Sequence, residues 1–339
     1  MVIDTHRHAY GERTRQKFVE RGMVRPEAGF PQIRDQDVFL YESYWDTDAS
    51  LALQREGGVS KAILSGGSQV ESLSRRVFQM DVVEVMRILF EDRMSLIERY
   101  PDDFATMVDV HPFDDRGLKV LEPALRQGAK AISVATSFGQ GSERRFLDDP
   151  AAEWLWDFAE KHGAVVHCHP PFVPFGAEML SGMRLLEAVG RPFDTALSFS
   201  RLILSGVFDR HPNLQMVAVH LGGALASVLG RLEFNWRLNY HGIADPPPEK
   251  VLKNERSPYS YLRTNLYTDV MGFSPTGVRQ AVELYGSDRI FFGTDYGPLP
   301  FSPAEHIEIV RSAVPDPEDQ EKIFWKNADR IFGLGLASS

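Results

Sequence analysis

Eight short runs rich in β-branched and other apolar residues recur along the chain. Longer segments with apolar residues at helical spacing separate them, such as residues 82–99, 150–161 and 304–312. Several runs are continuously apolar, which is typical of strands covered on both faces. Strands that alternate with helices predict a parallel barrel or a doubly wound sheet. The runs comprise residues 1–4, 61–64, 104–110, 130–135, 164–169, 215–220, 265–269 and 289–293.

The barrel is the better of these two interpretations. No GxGxxG fingerprint of dinucleotide binding follows an early run, and polar residues cluster at strand ends, where barrel enzymes place their chemistry. We therefore predict an α/β fold, a distorted (β/α)8 TIM barrel, formed as a single domain by residues 1–339. An insertion is expected between strands 1 and 2, at about residues 11–48. Two other long excursions, residues 172–198 and 245–253, are expected to be functional covers or subunit contacts.

Charge and cysteine content restrict the partners. The chain has 37 Lys+Arg and 47 Asp+Glu residues, a formal net charge of −10, with no basic stretch. Such a chain is a poor candidate for binding nucleic acid or an anionic membrane. Its single cysteine, Cys168, excludes an intrachain disulfide and favours a reducing compartment. With no secretory signal and no membrane-spanning apolar run in the sequence, we expect a cytoplasmic protein.

The first run leads into Thr5-His6-Arg7-His8. Because successive side chains on a strand alternate between its faces, His6 and His8 should point the same way, into the mouth of the barrel. Two imidazoles on one face suit a borderline metal such as zinc. The alternative interpretation is a pair of structural polar residues at a strand end.

The fifth run ends in His167-Cys168-His169, and two prolines follow. The same alternation places His167 and His169 on one face and Cys168 on the other. Because the prolines end the strand, His169 should lie nearest the mouth. His167 is expected one layer deeper, as a hydrogen-bonded core histidine or as a partner of a metal ligand. Cys168 is expected to be a small buried hydrophobe.

Two further runs end in an ionisable residue. His220 begins an HLGG motif whose glycines allow a tight turn, and it is a candidate metal ligand or acid/base. Asp295 lies in a GTDY motif at the end of the last run. Four strand ends that each bring a histidine or aspartate to one mouth are difficult to explain by structure alone. They predict a metal-dependent active site.

These motifs resemble those of the amidohydrolase superfamily. More narrowly, the chain is similar to the branch that includes aminocarboxymuconate semialdehyde decarboxylase and the dihydroxybenzoate decarboxylases. The segment SRLILSGVFDRHP at residues 200–212, the HLGG motif and the GRL of residues 230–232 carry much of the similarity. The resemblance extends from residue 1 to about residue 332 and is weakest in residues 11–48.

The resemblance implies one divalent metal per chain, usually zinc, with manganese as a possibility, held by His6, His8, His169 and Asp295. It implies that His220 is the catalytic acid/base and that Asp295 shares proton duty while it binds the metal. It also implies a homodimer and a small anionic substrate.

The implied reaction is the non-oxidative decarboxylation of a small aromatic or unsaturated carboxylate bearing an adjacent hydroxyl or carbonyl. The alternative is hydrolysis of a lactone, amide or cyclic amide by water that the same metal activates. A remote alternative is a non-catalytic barrel that serves as a binding protein, although such a protein has no reason to keep a complete ligand set.

Substrate binding is where the chain departs from the resemblance. The family's semialdehyde decarboxylase has an arginine a few residues before a Trp-Asp pair, and here Tyr41 stands at that position. Arg237 then becomes the candidate for binding an anionic substrate, its alternative role being a solvated charge near a helix end. The other residues expected to line a small aromatic site are His111, Phe172, Trp45 and Tyr296.

Overall fold

The computed structural model describes residues 1–21, 42–66, 69–240, 251–298 and 301–336. Within these ranges the strands form a parallel ring, each pairing with its neighbours in chain order. The ring consists of β1 Ile3–His8, β2 Lys61–Ser65, β3 Phe104–Thr106 with Val108–Asp109, β4 Ile132–Ala135, β5 Val166–His169, β6 Met216–Ala218, β7 Leu266–Asp269 and β8 Ile290–Phe291.

The ring is completed at two irregular places. Strand β3 is interrupted at Met107, so its first half pairs with β2 and its second half with β4. Between β8 and β1, the backbone N–H of Thr5 donates to Phe292 O at 2.9 Å, and that of Asp295 donates to His6 O at 2.8 Å. The predicted distorted (β/α)8 barrel is therefore confirmed.

Strand β1 carries an irregularity that matters for the site. Its pairing with β2 shifts in register between Asp4 and Arg7. Ile3 packs with apolar side chains from the other strands inside the barrel, and His6 and His8 also face the interior. In a regular strand, Ile3 and His6 would point to opposite faces, because they are an odd number of positions apart. The irregularity between them allows Ile3 to pack in the core and His6 to reach the site from the same face.

Three predicted carboxyl ends of strands differ from the structure by two or more residues. The first strand, predicted at residues 1–4, continues to His8. The sixth and eighth strands end at Ala218 and Phe291, two residues before their predicted ends. His220 and Leu221 both have φ of 58°, in the left-handed region that no strand can contain.

Helices cover the barrel and bury their apolar faces against it. The three helical segments predicted from periodicity are confirmed, with bounds that agree to within three residues. Within the described residues, no helix is long and apolar enough to cross a membrane. The main helices are α1 Glu12–Glu20, α2 Thr47–Glu56, α3 Val82–Arg99, α4 Leu118–Arg126, α5 Glu153–His162, α6 Arg191–Leu204, α7 Leu225–Tyr240, α8 Pro258–Thr264, α9 Pro275–Tyr285, α10 Pro303–Ala313 and α11 Asn327–Phe332.

Short elements complete the connections. In the insertion predicted at about residues 11–48, the described part contains α1 and one 3-10 turn, and residues 22–41 lie outside the described residues. So do residues 241–250, which include most of the excursion predicted at 245–253. The short helical turns are Glu42–Tyr44, Val70–Ser72, Leu73–Phe78, Asp115–Gly117, Gly141–Glu143, Pro150–Ala152, Ala177–Met179, Leu186–Gly190, Val207–Arg210, Ser287–Arg289, Pro317–Glu321 and Lys322–Lys326, and one antiparallel ribbon pairs Ser137–Phe138 with Arg145–Phe146.

Candidate metal centre

Four side chains converge at the carboxyl-terminal mouth of the barrel. His6 and His8 come from β1, His169 ends β5, and Asp295 follows β8; one ligand atom of each lies within 4.8 Å of all the others. Asp295 Oδ1 is 3.3 Å from His6 Nε2, 2.9 Å from His8 Nε2 and 3.8 Å from His169 Nε2. All four residues are buried. The structure thus brings together the residues that the sequence suggested as one ligand set.

The donor atoms fit a divalent metal. His6 Nε2 is buried and has no hydrogen-bond partner among the described residues, and such an atom is unfavourable unless something binds it. Three imidazole nitrogens and one carboxylate form a donor set that zinc or manganese accepts, with room for a further ligand.

Burial and charge act in opposite directions within the cluster. Burial disfavours the protonated form of His6, but the carboxylates of Asp295 and Asp269 outweigh it and raise the His6 pKa to about 10. Burial lowers the pKa of His8 and brings that of His169 well below its usual value. Burial also disfavours the carboxylate of Asp295, yet the imidazoles around it, His6 foremost, hold its pKa well below its ordinary value. The centre therefore contains a buried carboxylate that stays ionised, which favours a bound cation.

Asp269, at the end of β7, orients two residues of the site. Its Oδ2 accepts a hydrogen bond from His6 Nδ1 at 2.6 Å, which leaves Nε2 as the ring nitrogen that faces Asp295. Its Oδ1 accepts the backbone N–H groups of His220 at 2.8 Å and Met271 at 3.1 Å. Asp269 was not among the predicted site residues, although it is a carboxylate that ends the strand predicted at residues 265–269 and could have been recognised by that position.

The other two imidazoles are oriented in the same manner. His8 Nδ1 is 3.1 Å from Ser65 Oγ, and His169 Nδ1 donates to Pro170 O at 2.8 Å. Because each Nδ1 has a partner in the protein, each Nε2 is the atom that faces the centre. Partners of this kind fix the tautomer and the ring orientation of metal-binding histidines.

His220 approaches Asp295 from another side. Its Nε2 lies 3.4 Å from Asp295 Oδ2. The three ligand histidines lie closest to the other oxygen, Oδ1. Its left-handed backbone conformation is followed by Gly222 and Gly223, which both have positive φ. A Cβ at Gly223 would lie 2.4 Å from Pro192 O, so glycine is required there. This turn places the imidazole of His220 at the edge of the centre and towards a cavity.

That cavity has a volume of about 770 Å³. His220 and Asp295 lie in its wall, which is otherwise largely apolar with a few charged groups. A cavity of this size and character suits a small aromatic ligand. Its other lining residues are Phe172, Arg184, Leu186, Glu187, Ala188, Arg191, Pro192, Leu221, Gly223, Met271, Gly272, Phe273, Pro298 and Phe301.

Of the predicted aromatic lining residues, Phe172 lies in the wall of this cavity. Trp45 does not; its ring packs on Tyr10 and Phe18, with centroids 5.2 and 5.5 Å away. Tyr296 is also outside the wall and only 4% exposed, with the guanidinium of Arg7 4.2 Å from its ring centroid. Within the described residues, the rings of Trp45 and Tyr296 thus pack against other side chains and do not line the cavity.

The remaining predicted residues are not brought to the cavity. His111 lies against Phe138, with ring centroids 4.7 Å apart. Arg237 is 65% exposed and pairs with Glu233 at 3.0 Å, one helical turn away, as a solvated helix charge does. Tyr41 lies outside the described residues.

The two predictions for the core of β5 had different outcomes. Cys168 is fully buried, as expected. His167 is also fully buried and its ring centroid is 5.4 Å from that of His6. Neither of its ring nitrogens has a hydrogen-bond partner within the described ranges. The expected hydrogen-bonded core histidine was therefore wrong in this respect, and burial lowers its pKa well below the usual value.

Fold and site together define a metal-dependent enzyme of the (β/α)8 barrel class, with a single centre of histidines and an aspartate. Residues 3–334 match the family model described as Amidohydrolase. The chain belongs to this family.

Two similar proteins and one similar solved structure are named as decarboxylases. The 2-amino-3-carboxymuconate-6-semialdehyde decarboxylase of Dictyostelium discoideum is 25% identical over 284 residues, which cover 78% of this chain and 76% of that protein. The gamma-resorcylate decarboxylase of Rhizobium sp. (strain MTP-10005) is 29% identical over 321 residues, 89% of this chain and 94% of that protein. A dihydroxybenzoic acid decarboxylase from Polaromonas sp. JS666, solved with manganese and 2-nitroresorcinol, superposes with a TM-score of 0.73 at 20% identity, covering 99% of this chain and 98% of that one.

Proposed function

We propose that the protein is a metal-dependent carboxy-lyase that removes CO2, without oxidation, from a small aromatic carboxylate with a hydroxyl next to the carboxylate. The supporting observation is the cluster of His6, His8, His169 and Asp295 with His220 beside it, at the wall of a largely apolar cavity. The relatives named decarboxylases favour this reaction over hydrolysis of a lactone or amide.

The residues have separable roles in such a reaction. A divalent cation, when bound, supplies positive charge that polarises a substrate oxygen. The three ligand histidines present their Nε2 atoms in fixed tautomers, and Asp295 contributes the negative charge that holds the cation. Leu221 and Phe172 form apolar walls that orient a ring and exclude water. As the bond to the carboxylate breaks, its electron pair stays on the ring carbon, and the imidazole of His220 delivers the replacing proton.

Finer properties are part of the same proposal. The native metal is zinc or manganese, and the manganese in the Polaromonas structure favours testing manganese first. Residues 1–339 act as one domain, in a cytoplasmic homodimer that uses a small anionic substrate. The large apolar side chains of Phe193 on α6 and Phe234 on α7, each 54% exposed, support a subunit contact.

The test is CO2 release from 2,6-dihydroxybenzoate and 2-hydroxybenzoate by protein stripped of metal and reloaded with Mn²⁺ or Zn²⁺. We expect about one metal per chain and turnover that disappears in Asp295→Ala together with the metal. His162→Ala, at an exposed histidine, should change neither. Metal binding without CO2 release from any ortho-hydroxy aromatic acid, together with ring opening of a lactone, would replace the proposal by the hydrolase alternative.

A further inference from the structure

Among the described residues, one cation in the cavity wall has neither a hydrogen-bond partner nor an ion-pair partner. Arg191 begins α6 and lines the cavity that His220 also faces. Its Nε is buried without a hydrogen-bond partner, and the described residues supply its guanidinium with neither a hydrogen bond nor an ion pair. Its guanidinium carbon lies 5.7 Å from the centroid of the Phe172 ring. The buried Nε–H thus lacks an acceptor in the described residues, and an anion in the cavity could supply one.

The other charges in the wall are compensated. Arg184 lies 3.8 Å from Glu187, and both line the cavity. Asp295 is surrounded by the imidazoles of the metal centre. Arg191 therefore gives the described wall its uncompensated positive charge.

The backbone that carries Arg191 packs against the turn that carries His220. The next residue, Pro192, accepts a hydrogen bond through its carbonyl from the backbone N–H of Ala224 at 3.0 Å. The same carbonyl oxygen would lie 2.4 Å from a Cβ at position 223, so only glycine fits there, at the end of the turn that carries His220. The start of α6 is thus packed directly against the His220 turn, which gives a cation on a rigid element facing the same cavity as the proposed proton donor.

We propose that Arg191 binds an anionic substituent of the substrate other than the carboxylate that leaves; this inference rests on the proposed function. The charge of the departing carboxylate moves to the ring carbon as CO2 forms, so an arginine bound to that carboxylate would stabilise the ground state more than the transition state. A second anion keeps its charge throughout, and Arg191 binds it equally in both states. The substrate class is an aromatic dicarboxylate with one carboxylate beside a hydroxyl and the other remote from it.

Two compounds isolate this contact. 4-Hydroxybenzene-1,3-dicarboxylate and 2-hydroxybenzoate share the ortho-hydroxy carboxylate and differ in the remote carboxylate alone. With Mn²⁺-loaded enzyme we expect kcat/KM to favour the dicarboxylate by about 10- to 100-fold, the range of one charge-assisted contact. Arg191→Gln should raise KM for the dicarboxylate by a similar factor, leave its kcat within about twofold, and leave both parameters for 2-hydroxybenzoate unchanged.

Two variants serve as controls. Arg191→Lys keeps the charge but loses the planar fork, so it should restore part of the preference for the dicarboxylate. Arg201→Gln removes an exposed cation of the same helix that pairs with Asp148 at 2.7 Å and does not line the cavity, so it should leave the preference intact. Metal content and melting temperature, measured on every variant, show that each one is folded and loaded.

Failure of this inference is distinguishable from failure of the proposed function. If the wild-type enzyme releases CO2 from neither compound, the decarboxylase proposal fails, and calorimetric titration of the same two compounds still tests Arg191. A tighter Kd for the dicarboxylate that is lost in Arg191→Gln would support the contact. Equal affinity for both compounds in the wild type, or an equal loss for both in Arg191→Gln, would overturn it.

Discussion

Asp269 should determine metal affinity without touching the metal. Replacing it by asparagine keeps the size of the side chain but places a neutral amide against His6 Nδ1, where a carboxylate oxygen now accepts at 2.6 Å in a fully buried pair. Loss of such a partner typically weakens metal binding by about 10- to 100-fold, equivalent to about 1.4–2.8 kcal/mol. The amide can keep the contact of Oδ1 with the backbone of His220, so the turn should survive. We expect Asp269→Asn to fold and to bind Mn²⁺ in this weaker range.

The measurement is competition of the metal-free protein with a chromophoric chelator for Mn²⁺ and Zn²⁺. Asp4→Asn is the matched control, because Asp4 is also a buried carboxylate near the centre but bonds backbone and a hydroxyl. Its Oδ1 accepts the N–H groups of His6 and Thr294, each at 3.1 Å, and an amide oxygen can keep both. Asp4→Asn should therefore stay within about threefold of wild type, below the range typical of lost ligand partners. An unchanged metal affinity in Asp269→Asn would refute the claim that this carboxylate orients the His6 ring so that Nε2 faces the metal.

Three further outcomes are expected. His220→Asn should keep the full metal content while CO2 release falls by about 10²- to 10⁴-fold, the usual contribution of a general acid; loss of metal in this variant would make His220 a ligand instead. Gly223→Ala should destabilise the fold by more than about 1 kcal/mol in denaturant titration, because of its positive φ and the approach of Pro192 O, and a neutral result would contradict the packing of this turn. The hydrogen bond from Arg210 lowers the pKa of Glu153, so Glu153 adds stability above its unfolded-state pKa that is lost as the pH falls through its folded-state pKa. Glu153→Gln should be less stable than wild type by about 0.5 kcal/mol at pH 7, as for other partly exposed pairs, and equally stable near pH 3; a gap that widens in acid would show the opposite linkage.

The sequence was sufficient for the parts of the molecule that depend on local pattern. Apolar runs separated by helical periodicity predicted the ring of strands, since burial on both faces leaves a direct mark on composition. The candidate residues were also accessible, because a histidine or aspartate at the carboxyl end of a barrel strand lies near the common mouth. The strand ends indicated His6, His8, His169, His220 and Asp295 as candidates. The family resemblance separated the four ligands from His220, and the structure places those four ligands together.

What escaped prediction depends on contacts between distant segments. Trp45 was expected to line the site, but its ring packs against Phe18 of α1, and no spacing in the sequence predicts that contact. Arg191 lies more than 20 residues beyond the metal ligand His169. It reaches the cavity because the segment between them folds back against the turn after β6. Arginine at a helix start carries no signal of its own, so its unpaired state becomes visible only in three dimensions.

Two further carboxylates, Asp4 and Asp269, hold the segment that carries His6. Asp4 joins β1 to β8: its Oδ2 accepts the hydroxyl of Thr294 at 2.6 Å, while its Oδ1 accepts the backbone N–H of His6. These bonds span the place where β1 changes register, which turns both Ile3 and His6 inward. Asp269 then fixes the ring of His6 from β7. Asp295 is therefore the ligand carboxylate, whereas Asp4 and Asp269 position His6. Spacing along the chain cannot separate these roles, because each of the three aspartates lies in or just after a barrel strand and their roles differ in what their oxygens contact.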